Sequence, residues 1–465
     1  MKVLRRSILA CAAASAVLSL NPFVAAAAAP SEVFDLVVAG GGIAGTSAAL
    51  EAAQSGKKVA LVQVQPILGG DAYLSTGWFY ACGSPLQKKL AKIEDSPKQF
   101  AEDSIAISEG RRDPMWVGIV AKNSGKDIAW LEKNGVEFEN FVTRSMGSTV
   151  PRAIQVKGYG RALFTALGNE LKKTGNATIM LDTRATGLII KNGKLEGLTV
   201  QKNGKTEDIY AKNVILATGG FPFNKQMLAK YAPKFANMDA VGDPNLQGDG
   251  VRFALEAGAK GRNLDILNIV PTTNVENRIY LTSGALSGGG ILVNERGQRF
   301  CNELKNYTAT ALAMKEQKHV YEILVPETHS KVGVLASKEM LHKADSIEEL
   351  AKGINVPLDA LHKEIELHNQ ATAGKIKDRF DRTVYKVQLK APFYYMEVMP
   401  LILQTQGGLV TNDKAQVLGQ NNKPLFPNLF AAGDVLSGYL DGGYRTGDAL
   451  MFGVVSGRVA ASNLK

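Results

Sequence analysis

The chain has 465 residues, a formal net charge of +10, and 45% hydrophobic and 21% charged residues. That length allows two or three domains with full cores, and the mix is that of a globular protein, not a fibrous or disordered one. No basic run is long enough to track a nucleic acid, and beyond the first 29 residues no stretch is long and apolar enough for a membrane span.

The chain opens with a basic start (Lys2, Arg5, Arg6), an apolar run from Ile8 to about residue 20, and small residues at 25–29. This is the three-part pattern of a secretory signal, so residues 1–29 are expected to direct export. Arg5-Arg6-Ser7-Ile8-Leu9 loosely fits a twin-arginine signal, and the general secretory route stays equally open. Cysteine occurs only at Cys11, Cys82 and Cys301, with no CxxC or CxxCH. A disulfide framework, a c-type haem and a cysteine-ligated iron–sulfur cluster are therefore excluded from the chain itself. His319, His329, His342, His362 and His368 fall in one middle region without ligand spacing, so no metal site is expected.

A short buried strand over residues 35–38 runs into Gly40-Gly41-Gly42-Ile43-Ala44-Gly45, then a helix to residue 54 and a second strand over 58–64. Glycines in that place allow a sharp turn, a close approach of backbone to a pyrophosphate, and tight packing of helix on strand. The helix N-terminus favours the phosphate charge. The pattern predicts a dinucleotide held by Gly40, Gly42, Ile43, Ala44 and Gly45. Gln63 stands about twenty residues on, where an acidic residue usually binds the ribose hydroxyls; an amide can still hydrogen-bond there. The next loop, Gly69-Gly70-Asp71-Ala72-Tyr73-Leu74-Ser75-Thr76-Gly77-Trp78, crowds small and hydroxyl residues, as expected where backbone lies against a flat ring.

Residues 96–145 read as helical, with an amphipathic stretch over 117–133, and another helix opens at Tyr159 and runs to about residue 173. Short strands over 177–181, 186–191, 195–201 and 206–210 then alternate with turns, Asn192-Gly193 and Asn203-Gly204 being hairpin signals. They predict a small antiparallel meander inserted in a doubly wound fold. It closes on a buried strand from Val214 and the tight turn Thr218-Gly219-Gly220.

The glycine turn, the Gly-Gly-Asp loop, the meander, Ile215-Leu216-Ala217-Thr218-Gly219-Gly220, Gln247-Gly248-Asp249-Gly250 and Ala431-Ala432-Gly433-Asp434 together resemble one family. It is the fumarate reductase and succinate dehydrogenase flavoprotein superfamily. The likeness is greatest to its soluble, exported branch of flavocytochrome c fumarate reductases and urocanate reductase, with 3-ketosteroid dehydrogenases as cousins. It covers essentially the whole chain after the leader. The resemblance implies an α/β fold. A Rossmann-like doubly wound FAD-binding domain with the inserted meander would comprise residues 30–262 and 401–465, and an α+β capping domain residues 263–400. It also implies FAD contacts from Gly69, Gly70, Asp71, Ser75, Thr76, Gly77, Ala217, Thr218, Gly219, Asp249, Gly408, Gly433, Asp434 and Ala449. A last helix from near Gly447 would point its N-terminus at the flavin. Relatives with covalent flavin use an early histidine; none precedes His319 here, so FAD is expected to be non-covalent.

In fumarate reductases an arginine on the cap protonates one carbon of the double bond, and two His, an Arg and a Thr clamp the two carboxylates. By motif, Val270 stands in place of one clamping His and Gln404 of the other, while Thr282 matches the Thr. Tyr307 stands at the proton-donating Arg, and Ser283 and Leu286 replace its proton relay. The register leaves Tyr444 and Arg445 both open for the clamping Arg, with Arg445 preferred because a guanidinium can fork onto a carboxylate. Tyr73, Trp78 and Tyr80 could also face the pocket. A site built for two carboxylates needs the lost positive charge, so fumarate is a poor fit. The expected activity is reduction of a C=C bond in a larger enoate or enone, aromatic or alicyclic, with Tyr307 as proton donor. Electrons would come from a separate partner such as a periplasmic cytochrome c or an FMN protein, making the enzyme a terminal respiratory reductase. Two alternatives are a dehydrogenase of the ketosteroid type and a non-catalytic electron-shuttling flavoprotein.

Overall fold

A computed structural model describes residues 33–145, 147–278, 286, 288–305, 307–329, 340–383 and 387–465. The expected leader (residues 1–29), Thr282 and Ser283 lie outside the described residues. The chain is a mixed α/β protein.

A seven-stranded sheet forms its base. Phe34–Ala39 lies inside it, parallel to Val59–Val62 on one side and to Lys205–Leu216 on the other. Leu36, Val37, Val38 and Ala39 are completely buried, as befits a parallel strand covered on both faces. Ala177–Met180 extends the sheet beyond Val59–Val62, and Leu429–Ala431 adds in parallel to the far end of Lys205–Leu216. Helices Ile43–Gln54 and Asp448–Ser462 pack closely on each other: a Cβ at Gly457 would lie 2.2 Å from the Ala44 carbonyl oxygen.

Two sequence expectations are corrected. The segment Ala177–Met180 belongs to the parallel sheet, and the meander is Thr183–Lys191, Lys194–Lys202 and Lys205–Leu216. Its last strand is long enough to serve twice, antiparallel in the meander and then parallel beside Phe34–Ala39. The region 96–145 is not helical throughout. Helices Pro97–Ile107 and Pro114–Lys133 are followed by a strand, Phe138–Thr143, paired with Ala153–Val156. Phe138 there packs edge-on to Phe79 at 6.0 Å, burial that a helix from 134 onward would forgo.

A second, five-stranded antiparallel sheet joins Leu267–Asn274, Phe393–Thr405, Val320–Leu324, Ile291–Asn294 and His342–Ala344. Its two apolar clusters are separate from the main core. Phe393–Thr405 begins in this sheet and ends at the wall of the main cavity. Among the described residues no helix is long and apolar enough to cross a membrane.

Candidate functional site

A cavity of about 530 Å³ opens at the carboxyl ends of the parallel strands, where Gly40, Gln63, Ala217 and Gly433 follow their strands. That is where open α/β sheets bind ligands. Gly40 has φ +104°, and a Cβ there would lie 2.3 Å from the Ala217 carbonyl oxygen, so no other residue fits without displacement. Gly42, Ile43 and Ala44 line the cavity at the start of helix Ile43–Gln54. No side chain caps that helix and no acidic residue lies in its first turn. Its first N–H groups and its positive dipole end therefore face the cavity, an arrangement suited to a pyrophosphate. A Cβ on Gly42 would touch nothing closer than the Gly69 oxygen at 3.8 Å. Gly45 is not in the wall; a Cβ there would meet the Gly40 oxygen, so its role is helix packing.

Gln63 lines the cavity, but its amide is engaged with the glycine turn on one side and its own loop on the other. Oε1 accepts from the Gly41 N–H at 3.0 Å, and Nε2 donates to the Ile67 oxygen at 3.2 Å. It pins the glycine turn. Gly69, Gly70, Asp71, Ser75, Thr76, Thr218, Gly219, Asp249, Asp434 and Ala449 also line the wall. Gly77 and Gly408 do not: a Cβ at Gly77 would crowd the Tyr159 backbone at 3.1 Å, and one at Gly408 would lie 2.3 Å from the Val435 oxygen. Both permit close backbone packing behind the wall.

Several wall residues escaped the sequence reading. Asp71 Oδ1 accepts from the Asp243 N–H at 3.0 Å, and Asp243 accepts from the Asn245 N–H at 2.9 Å. Asn245 in turn accepts from Arg184 at 3.0 Å, and Arg184 also pairs with Asp249. This chain of bonds ties the Gly70–Leu74 turn, the loop that holds Asp243 and Asn245, strand Thr183–Lys191 and the start of helix Asp249–Glu256 together along the wall. Burial, opposed by the Asp243 N–H and reinforced by the Asp243 charge, pushes the Asp71 carboxyl up to about 6. Burial and the Asp71 charge push Asp434 up to about 7. The only signal in the sequence was Gly242-Asp243-Pro244-Asn245, which reads as an ordinary turn.

Leu403, Gln404 and Tyr444 also line the cavity. Arg445 is corrected. It is buried away from the cavity, and its guanidinium binds Asp448 at 3.1 Å, Ser104 at 2.7 Å and the Tyr80 hydroxyl at 3.2 Å. Arg112 reaches the same Asp448 at 2.7 Å. Burial disfavours the charge of Asp448, and the two guanidiniums outweigh it, holding the carboxyl below its usual range. Tyr80 thus serves this network, and Trp78 packs edge-on to Phe141 at 5.8 Å; neither they nor Tyr73 line the wall. Tyr307 begins helix Tyr307–Lys315 and is half-buried. It does not line the cavity, yet lies near enough to Tyr444 to help burial and Asp448 raise the Tyr444 phenol above its ordinary value. Val270 and Leu286 are buried.

An uncapped helix end, glycine-lined walls and a cavity of this size suit a dinucleotide with a flat ring system. The FAD binding domain family matches residues 35–449. The chain belongs to that family. It is 31% identical to a probable fumarate reductase of Shewanella frigidimarina over 94% of this chain and 76% of that one. It is also 31% identical to urocanate reductase of Eggerthella lenta over 92% of this chain and 74% of that one. The solved open conformation of a flavocytochrome c3 fumarate reductase superposes with a TM-score of 0.83 at 31% identity, covering 94% of this chain and 79% of that one. The protein is therefore an FAD-dependent oxidoreductase of the fumarate reductase flavoprotein superfamily.

Proposed function

We propose that the protein reduces the C=C bond of an α,β-unsaturated substrate other than fumarate, in the space beside Gln404 and Tyr444. The observation that carries this reading is the charge of the wall. Among the described residues of the wall, the cations Arg184 and Arg278 are paired with Asp249 and Asp239 and the other charged groups are carboxyl groups, while Arg445 lies outside the wall in its own network. A dicarboxylate in the cavity would meet no unpaired cation among the described residues of its wall, and a buried unpaired anion is costly. FAD, when bound and reduced, supplies hydride to the double bond.

The chain's own groups do the rest. Gly42, Ile43 and Ala44 would hold the pyrophosphate, and Asp71, Ser75 and Thr76 the ring end. Gly40, Gly219 and Gly433 shape the backbone around the cofactor, held without a covalent link. Helix Asp448–Ser462, uncapped by any side chain and with Ala449 in the wall, would favour negative charge on the reduced ring. Tyr307 would give the proton to the carbon next to the site of hydride addition, since a phenol is protonated at neutral pH and carries one O–H. Residues 263–400 would act as the cap, and residues 1–29 would direct export to the periplasm. A separate redox protein, a cytochrome c or an FMN protein, would deliver electrons.

The test is anaerobic oxidation of reduced viologen by the purified protein, with fumarate, urocanate, aryl acrylates and cyclic enones as oxidants and the products identified. The reading expects saturated product from at least one bulky substrate and a poor rate with fumarate. Fumarate as the best oxidant would overturn it.

A further inference from the structure

Strands Leu267–Asn274 and Phe393–Thr405 bring three side-chain amides to one place. Asn268 stands directly opposite Gln404 in the antiparallel ladder, so the two side chains share a face. Gln406 lies two residues beyond Gln404. Thr405 between them points the other way, its hydroxyl accepting from the Phe221 N–H at 3.1 Å. Gln404 is in the cavity wall. Asn268, Gln404 and Gln406 are only 4%, 7% and 4% exposed. Each leaves its amide nitrogen without a hydrogen-bond partner.

Burying one amide NH₂ without an acceptor is costly, and buried polar groups almost always find partners. Gln404 lines the cavity and Asn268 and Gln406 stand beside it, and the three amide nitrogens together call for acceptors that the described residues do not provide. The donors are uncharged. The carboxyl groups of Asp71, Asp243 and Asp434 in the same wall offer an anionic ligand group no counter-charge.

We propose that Asn268, Gln404 and Gln406 form a donor set for an uncharged carbonyl oxygen, and that the group conjugated to the substrate's double bond is an amide, ketone or ester and not a carboxylate. This rests on the reading above that the cavity takes an α,β-unsaturated substrate. Amide donors suit such an oxygen twice over. They satisfy it in the ground state without a counter-charge, and they strengthen as negative charge gathers on it during addition to the conjugated bond.

The test uses the oxidised, FAD-loaded enzyme, so that no turnover occurs. Cinnamamide, benzalacetone and cyclohexenone, with cinnamate and cyclohexene carboxylate as charged counterparts, are titrated at pH 7 and read by the flavin absorbance shift and by calorimetry. The neutral members are expected to bind at least about tenfold tighter than the acids. Gln404→Leu and Asn268→Leu are each expected to weaken neutral ligands about tenfold, the worth of one lost hydrogen bond with an unpaired oxygen left behind, and to leave acid binding within about twofold. Gln404→His, which can carry a charge, should move the preference toward the acids as pH falls below about 6.5. Flavin content verifies that each variant is folded. Tighter binding of the acids, no binding of any neutral member, or a loss confined to FAD retention would each overturn the donor set. The reductase reading is separated by adding the same ligands to reduced enzyme. Amide-dependent binding without reoxidation leaves the donor set standing and removes the reductase. Reoxidation with unchanged affinities in the variants does the reverse.

Discussion

Glu322 is a buried acid whose burial ties stability to pH. It sits on Val320–Leu324 between Leu292 and Met396 of the flanking strands, is completely buried, and neither carboxyl oxygen has a partner. Burial alone pushes its pKa from 4.5 up to about 8. At pH 7 the unfolded chain ionises it and the folded chain does not. At about 1.4 kcal/mol per pKa unit, the folded state forgoes about 3 kcal/mol. The direction follows from proton counts. Between pH 4.5 and 8 the folded state binds more protons than the unfolded state, so this group's contribution falls as pH rises through that window. Glu322→Gln removes the titration and keeps the shape. It should stabilise the protein by about 3 kcal/mol at pH 7, by under about 1 kcal/mol near pH 5, and by about 5 kcal/mol above pH 9. Urea unfolding of both FAD-loaded proteins at pH 5, 7 and 9 measures the difference. A difference that does not grow with pH would refute an ionisable, unpaired Glu322.

Three further outcomes are expected. Gly40→Ala puts a Cβ 2.3 Å from the Ala217 oxygen at φ +104°, so it should cost about 2 kcal/mol or more and lower the FAD bound per chain, read from flavin absorbance. Arg445→Met should destabilise by about 3 kcal/mol, because it leaves Asp448 with one of its two guanidiniums, while KM of the loaded enzyme barely moves; a raised KM in a fully stable protein would restore Arg445 as a substrate clamp. Tyr307→Phe should lower kcat about a hundredfold with KM little changed, and Tyr444→Phe should lower it less, both read in the viologen assay.

The cofactor half was legible because its chemistry is written in local backbone needs. Gly40 and Gly42 sit in one continuous turn, and their spacing alone announces the strand, the turn and the helix. Ala177–Met180 was placed in the wrong sheet because a short apolar strand carries no record of its partner; pairing with Val59–Val62 is decided by the whole sheet. Phe138–Thr143 reads as helix because the residues it packs on the main core, Phe138 and Val142, are four apart, which also suits a helix. The Arg445 assignment failed for an electrostatic reason. Its charge partner Asp448 lies three residues on, but its hydroxyl partners Tyr80 and Ser104, and the Arg112 that shares Asp448, lie more than 300 residues away in sequence, so the pattern did not show that the guanidinium was buried in a network. Asp243 and Asn245 were hidden likewise, since an Asx-rich turn reads as a turn until Asp71 and Arg184 are seen to close on it.

The measurement that tests the central claim most directly is a single-turnover one. The protein is loaded with FAD, reduced anaerobically with one equivalent of dithionite, and mixed in a stopped-flow cell with bulky α,β-unsaturated compounds, saturated compounds of the same shape, and fumarate. The account predicts that at least one bulky unsaturated compound reoxidises the flavin stoichiometrically and yields its saturated product, that the saturated controls do nothing, and that fumarate is slow. Rapid reoxidation by fumarate, or a reduced flavin that no unsaturated compound reoxidises but a redox protein does, would contradict it.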